Sequence, residues 1–410
     1  MRILMVCPIP PDPRGHGGVP LVINGALEGL SAHHEVTVAT IAGPEPGDLT
    51  SLRRLREAGV QVHAVERREP VGRERWTRRR RFASMWLGQQ VPWRTVWFYE
   101  RAMQTLLDTL LAGDDFDLVS AEDDAVGVYD YGTRIPSVLM EHEVRRPRPL
   151  TAPPHDPRRL PGWGLRELDW GRWTPYERTV WRRFDRLHTF THRDHETLLE
   201  LAPDRAGLVR TIPFGLPLPR AADPGEEVPG TLVFTGNFTH HPNVEGITWF
   251  TDNVLPELVA RRPELRLIIA GAVPPPVVTD LAGEHVEVIA NPDDAEALTR
   301  SASVVLAPMH VGGGMRVKVV QGLGLGKAII ATTRSVEGLD LDPAAPALVV
   351  SDDPATWVTE LDRLLGDEAA RRELGARARA FAERELSAEA YGARLTASYT
   401  DLLETHGTAR

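Results

Sequence analysis

The chain has 410 residues, 42% of them apolar and 25% charged, with a formal net charge of -10. That length exceeds one ordinary core and suits two domains, and the composition is that of a globular protein. The acidic balance argues against a nucleic-acid surface, and the one cysteine, Cys7, excludes an intramolecular disulfide or a multi-cysteine metal site.

In chain order, RILMVC (Arg2–Cys7) is a continuous apolar run, the pattern of a parallel strand covered on both faces, with Cys7 a small core residue. The run is short and passes into Pro-Pro-Asp-Pro rather than a small-residue cleavage site, so it reads as a first strand and not a signal peptide. No run approaches the roughly 18 apolar residues of a membrane span, and a cytoplasmic protein is expected. RGHGG (Arg14–Gly18) follows as a loop, Val19–Leu30 has helical spacing, and HEVTVAT (His34–Thr40) is a second strand. A strand–helix–strand unit of this size implies a parallel α/β layer. Val60–Val65, a helix over Trp97–Leu111, and strands over Phe116–Glu122, Pro136–Glu143 and Asp185–Thr191 continue it.

Two segments stand outside this alternation. Arg67–Arg81 contains RERWTRRRR and leads to Trp86, Trp93 and Trp97. It reads either as a basic-aromatic face for a membrane surface or an anionic acceptor, or as a solvated helix end beside core tryptophans. Val144–Gly164, with proline and arginine throughout, reads as a long loop.

A second series begins with the strand Thr231–Asn237, a helix over Asn243–Arg262 and a strand over Glu264–Gly271. HVEVIA, ASVVLAP and KAIIATT carry it on, and an amphipathic helix over Ala388–Glu404 ends the pattern. Between the series, Pro217–Gly230 is rich in Pro, Gly and charge without periodicity. The expected fold is α/β, with two doubly wound Rossmann-like domains facing across a cleft that takes the ligand. The domains are 1–218 and 231–385, joined by a linker at 219–230, with a helix at 386–410 packing back on the first.

The most informative stretch is HVGGGMRVKVVQGLGLGK, His310–Lys327. It is no Walker loop, because Gln321 stands where the first glycine should be and Ala328 where the magnesium hydroxyl should be. GLGLGK also fails the dinucleotide fingerprint. Gly312, Gly313 and Gly314 follow an apolar strand at its carboxyl end, where backbone N–H groups and a helix start can hold an anion. Arg316 and Lys318 add fixed positive charge, and a diphosphate suits this chemistry without a metal. Read as pattern alone, the stretch is equally a glycine turn before an exposed basic pair. MRVKVVQ has the period of a strand, and Gly322, Gly324 and Gly326 each disfavour a helix, so a helix here would imply close packing against the sheet.

Several motifs in order resemble the GT-B glycosyltransferases of family 4. They are GHGGVPLVINGALEGLSAHHEVTVAT, LMEHE, YERTVWRRFDRLHTFTHRD, IPFGLP, FTGNFTHHPNVEGITWF and PMHVGGGMRVKVVQGLGLGKAIIAT. The resemblance spans nearly the whole chain and is greatest to a branch with a GGGxRxK donor motif. It implies transfer of a sugar from a UDP-, GDP- or dTDP-sugar to a small-molecule or glycan acceptor, with retention, without a metal and with no cofactor beyond that co-substrate. It places Gly17 and Gly18 near the donor phosphates, His142 against the transferred sugar, and Arg316 and Lys318 on the leaving diphosphate. Gly236, Asn237, His310, Gly312, Gly313, Gly314, Met315, Gln321 and Glu337 would line the donor site.

The chain departs from the common family pattern at two places: Gly313 and Gln321 stand where that pattern has acidic residues. Gln321 can still hydrogen-bond a ribose hydroxyl, without charge assistance. Asn237 and Pro242 replace a usual Arg and Lys. Two other readings stay open: a nucleotide-sugar 2-epimerase on the same fold, whose expected carboxylate–histidine set is not evident here, and a partner protein that binds nucleotide sugar with weak turnover, which Gly313 and Gln321 keep open. His240 and His241 read as exposed loop residues.

Overall fold

The computed structural model describes residues 1–15, 17–43, 46–67, 72–113, 115–132, 135–153, 158 and 160–408. His16 of the first glycine loop, 68–71 of the basic segment, and 154–157 with 159 of the proline-rich segment lie outside the described residues. Among the described residues the chain forms two compact units, Met1–Ile212 with Gly392–Arg410, and Pro213–Tyr391.

The first unit has a sheet of seven parallel strands: β1 (Arg2–Cys7), β2 (Glu35–Ala42), β3 (Gln61–Glu66), β4 (Leu118–Glu122), β5 (Ser137–Glu141), β6 (Arg186–Thr189) and β7 (Val209–Thr211). Their order is β3-β2-β1-β4-β5-β6-β7. The helices of this unit are α1 (Gly18–Ser31), α2 (Pro46–Glu57), α3 (Arg73–Ala83), α4 (Trp93–Phe98), α5 (Arg101–Gly113), α6 (Leu160–Trp181) and α7 (His192–Leu201). β1 and β4 are apolar runs because helices cover both faces of a parallel sheet, and Ile3, Leu4, Met5, Val6, Cys7 and Val119 are all fully buried. Burial also raises the Cys7 thiol well above its usual pKa, which suits a core residue.

The second unit repeats the plan with β8 (Thr231–Asn237), β9 (Arg266–Ala272), β10 (Val286–Ala290), β11 (Val304–Ala307), β12 (Ile329–Ala331) and β13 (Val349–Val350), in the order β10-β9-β8-β11-β12-β13. Its helices are α8 (His241–Asn253), α9 (Leu255–Arg261), α10 (Pro276–Thr279), α11 (Ala295–Ser301), α12 (Val317–Gly324), α13 (Pro354–Gly366) and α14 (Glu368–Phe381). A last helix, α15 (Ala388–Thr408), runs to the end of the described chain. The strand order turns back between β1 and β4 in one sheet and between β8 and β11 in the other. At those points the outgoing loops diverge to opposite faces and leave a crevice at the carboxyl edge.

Four expectations need correction. Trp97–Leu111 is not one helix: α4 ends at Phe98, Tyr99 is extended, and α5 begins at Arg101. Tyr129 causes the break, because its hydroxyl accepts from Glu100 N (2.8 Å) and donates to Phe98 O (3.2 Å). The helix expected over Asn243–Arg262 is likewise α8 and α9, divided at Val254 just ahead of Pro256, which begins the second helix at N1/N2. The segment read as a loop to Gly164 is already helical from Leu160. MRVKVVQ, strand-like in period, belongs largely to α12. Its glycines are packing positions: a Cβ on Gly322 would sit 3.0 Å from Ile329 Cδ1, and one on Gly324 would sit 3.1 Å from Leu218 Cδ2.

In the first unit the end helix lies backbone-to-backbone on α1. A Cβ built on Gly392 would stand 2.3 Å from the carbonyl carbon and oxygen of Gly29, which no rotamer change can relieve. Gly392→Ala is therefore expected to cost about 3 kcal/mol by forcing the helices apart, read as the shift in a urea unfolding curve. A change within about 0.5 kcal/mol, the range of neutral surface substitutions, would mean that the two helices do not approach this closely.

Candidate functional site

In the second unit the site begins at a missing side chain. A Cβ on Gly236 would lie 2.9 Å from Asn243 Cγ and 3.1 Å from Lys318 Nζ, so glycine lets both side chains settle over the end of β8. Asn237 Oδ1 accepts from Thr239 N (3.0 Å) and Thr239 Oγ1 (2.8 Å), turning the chain toward α8. In the first turn of α8, Asn243 donates from Nδ2 to Asn237 O (2.7 Å) and accepts from Lys318 Nζ (2.7 Å). The Lys318 ammonium also stands 3.9 Å from the centroid of the Phe234 ring.

On the other side of the switch point, the loop after β11 reaches α12 through two left-handed glycines, Gly312 (φ 89°) and Gly314 (φ 73°). At Gly312 a Cβ would also meet Pro242 Cγ at 2.8 Å. Arg316, at the N-cap of α12, folds back and donates from Nη1 to Gly313 O (2.9 Å) and from Nη2 to Val311 O (3.0 Å). It braces the glycine loop. Val319, Val320 and Leu323 bury one face of α12, and Lys318 and Gln321 are half-buried one turn apart. Met315 is buried.

His310 packs its ring 4.4 Å from Trp249, and its backbone N–H donates to Glu245 Oε2 (3.4 Å). Its Nε2 is buried and has no hydrogen-bond partner among the described residues. The loop after β12 is stitched to the same place: Ser335 Oγ donates to Ala307 O (2.6 Å) and accepts from Met309 N (3.2 Å), and Thr332 Oγ1 donates to Met309 O. Glu337 follows, half-buried and paired with Arg334.

The second unit thus gathers Gly236, Asn237, His310, Gly312, Gly313, Gly314, Met315, Arg316, Lys318 and Gln321 around one crevice, with Glu337 on the adjoining loop. His240 and His241 are exposed at the start of α8. Both hydrogen-bonding and π partners of Lys318 are uncharged, and it has no ion-pair partner among the described residues. Burial drives its pKa well below the usual lysine value, with Arg316 repelling it further. A crevice with an ammonium on uncharged partners, a bracing guanidinium, left-handed glycines and a helix start is built for a polyvalent anion. Asn243, Glu245 and Trp249 are participants the sequence reading missed. The signal for Asn243 was its place in the first turn after the strand that ends in Gly236.

Gly17, Gly18 and His142 belong to the first unit. Gly17 (φ 115°) caps α1 directly after the β1 loop, with Gly18 as the first helical residue. His142 follows β5, and β4 lies between β1 and β5. The His142 ring stands edge-on to Phe190 at 5.0 Å, and its Nε2 is buried without a hydrogen-bond partner among the described residues. Beside it is a charged cluster that the sequence reading did not single out. Arg94 donates to Asp123 (2.7 Å) and Asp124 (2.8 Å), Arg145 pairs with Asp124 and with Glu177 (3.1 Å), and Glu141 accepts from Trp181 Nε1 (2.5 Å). Asp123 holds its turn at φ 94°, a strained conformation for a residue with a side chain.

Residues 229–367 match the family model described as glycosyl transferases group 1. Among solved structures, the HepE protein of Anabaena in complex with UDP is 12% identical, covers 98% of this chain and 100% of its own, and superposes with a TM-score of 0.63. A sucrose-phosphate synthase of Thermosynechococcus elongatus is 16% identical, covers 98% of this chain and 99% of its own, with a TM-score of 0.65. At these identities the likeness establishes the fold, the two-domain GT-B architecture. An uncharacterized 44.6 kDa protein in the cps region of Klebsiella pneumoniae is 22% identical over 131 residues, 30% of this chain. The chain spans only 34% of that relative's length.

Burial pushes the His142 pKa down to about 3, with the Arg94 charge adding and Asp124 opposing. An unfolded histidine has a pKa of about 6.5. Below that value the unfolded imidazole takes up a proton that the folded one refuses, so stability falls as the pH drops from about 6.5 toward 3. Above it both forms are neutral and His142 contributes no pH dependence. Imidazole NMR should show a neutral His142 ring from pH 8 to pH 5. A midpoint near 6.5 would mean that the ring is solvated and not seated against Phe190.

Proposed function

We propose that the protein is a glycosyltransferase that moves a sugar from a nucleotide-diphosphate sugar to an acceptor. The observation that carries this reading is the Lys318 ammonium, on uncharged partners at the start of α12 beside the left-handed Gly312 and Gly314, inside the residues that match the family model. The HepE structures hold UDP and UDP-glucose, which supports a UDP-sugar as the first donor to test.

The chemistry follows from charge. As the bond from the anomeric carbon to the diphosphate oxygen breaks, negative charge builds on the departing diphosphate. Lys318 meets it at close range, the N–H groups of the glycine loop and α12 meet it along the helix axis, and Arg316 holds that loop in shape. Fixed donors of this kind need no reorganisation when the charge appears, and a metal ion is not required for this step. Gln321, one turn beyond Lys318, is placed to hydrogen-bond the nucleoside, and His310 Nε2 has a free position for a phosphate or sugar oxygen. In the first unit, neutral His142 is able to accept or donate one hydrogen bond. Transfer proceeds with retention in this reading.

The nucleotide test is thermal. UDP, GDP or dTDP should raise the unfolding temperature, corresponding to about 2.7 kcal/mol at a hundredfold excess over Kd, and EDTA should not cancel it. Because burial lowers the Lys318 pKa below its usual value, its charge is lost earlier as the pH rises; affinity should weaken in that direction, and Lys318→Met should remove that dependence along with most of the binding. No shift with any of the three nucleotides would sink the donor-site assignment.

The catalytic test is turnover. Arg316→Ala and Lys318→Ala should each lower it on the order of 10²–10³-fold with little change in stability, and Arg316→Lys should recover only part because an ammonium cannot span both carbonyls. Near-normal turnover in both Ala variants would move the phosphate site elsewhere. Nucleotide binding without transfer would leave a binding protein, and sugar inversion without an acceptor would indicate an epimerase.

A further inference from the structure

One surface of the first unit is both basic and apolar. Between residues 72 and 101 there are eight arginines and two glutamates, in a chain whose net charge is -10. The same stretch exposes Trp76 by 69%, Leu87 by 63%, Trp93 by 53% and Trp97 by 54%.

This segment has a packed side and an open side. α3 passes directly into a π-helical turn, Ser84–Gly88. On the packed side Trp86 Nε1 and Trp93 N both donate to Asp169 Oδ1 on α6, each at 2.8 Å. The Arg172 guanidinium covers the Trp86 ring at 3.8 Å, and Phe82 meets Trp93 edge-on at 4.5 Å. These contacts anchor the segment to the unit and account for Trp86. They do not account for the other side, where Trp76, Arg79, Arg80, Ala83 and Leu87 recur every three or four residues and are all exposed. Leu165 and Leu168 on α6, just ahead of Asp169, are also exposed, by 53% and 51%.

The charges are unevenly committed. Arg67, Arg78 and Arg81 converge on the single carboxylate of Glu100, at 3.2, 3.7 and 3.6 Å. Arg79 and Arg80 have no ion-pair partner among the described residues. A stripe that alternates exposed guanidinium with exposed indole and leucine suits the boundary layer of a bilayer, where indoles and leucines enter the headgroup region and arginines meet lipid phosphates. A soluble polyanion would use the arginines but leave Leu87, Leu165 and Leu168 in water. No helix among the described residues is long and apolar enough to cross a membrane, so contact would be from one side.

We propose that the exposed face of α3, the π-helical turn and α4 docks on an anionic lipid surface. The docking does not depend on the reaction proposed above.

The test is flotation of the full chain with vesicles of phosphatidylcholine alone and of phosphatidylcholine mixed with phosphatidylglycerol. The protein should float with the mixed vesicles, remain behind with the neutral ones, and be released by salt. The double variant Arg79→Glu/Arg80→Glu should lower the bound fraction roughly tenfold, and Trp76→Ser/Leu87→Ser should lower it several-fold. Both should keep the parent unfolding temperature and nucleoside diphosphate binding. Brominated acyl chains should quench tryptophan emission in the parent and less so in Trp76→Phe. Flotation with neither vesicle, equal flotation with both, no effect of the charge reversal, or capture by heparin without flotation would each overturn the proposal.

Discussion

A parallel sheet wound in both directions from its centre has one place at its carboxyl edge where the chain does not close over itself. In the second unit that place lies between β8 and β11, and Gly236 keeps it open. Any side chain there would collide with Asn243 and Lys318. Without one, Lys318 reaches across from α12, meets the amide of Asn243 and rests on Phe234. The Arg316 brace holds the glycine loop just ahead of it, and the loop after β12 is stitched to Ala307 and Met309 at the end of β11. A carboxylate at position 243 would set a counter-charge against the ammonium; the neutral amide positions the charge without cancelling it.

How far the sequence revealed this depended on where the information was local. Arg2–Cys7 was legible because an apolar run in a parallel sheet needs no partner to be recognised. In His310–Lys318 the glycines and the cationic pair were visible because they are adjacent in the chain, while the pattern alone left an anion loop and a plain glycine turn equally open. The helix breaks were not, because their cause is remote in the chain. Tyr129 divides α4 from α5 through backbone groups some thirty residues earlier. α12 defeated its period-two pattern because tertiary packing outweighs propensity: Gly322 fits against Ile329 only on a helix without a Cβ at that point. The role of Asn243 was hidden likewise, since a hydrogen bond from Lys318 to a residue 75 positions away leaves no trace in spacing.

The first unit poses the opposite electrostatic problem to the second. Where the second holds a cation with no ion-pair partner among the described residues, the first buries Asp123, Asp124, Glu141 and Glu177 around two arginines, Arg94 and Arg145. Four carboxylates and two guanidiniums cannot all be ionised at low cost out of water. The surplus is relieved by protons: burial lifts Asp124 to about 6 and Glu177 to about 8, and also raises Glu141 well above the usual carboxylate range, aided by the charge of Asp124.

These carboxyls bind more protons folded than unfolded, so their contribution to stability is complete below about pH 4 and declines as the pH rises toward 8. The buried histidines His142 and His188, both pushed down to about 3, act in the other direction below about 6.5. The first unit is therefore pressed from both sides within the neutral range. Such an arrangement is a poor way to stabilise a fold, since an apolar cluster of the same volume would do better. Asp123 and Asp124, in the strained turn after β4, and Glu141, at the end of β5 beside His142, sit at the carboxyl edge where a doubly wound sheet presents groups to a ligand, while Arg94 and Glu177 reach them from α4 and α6.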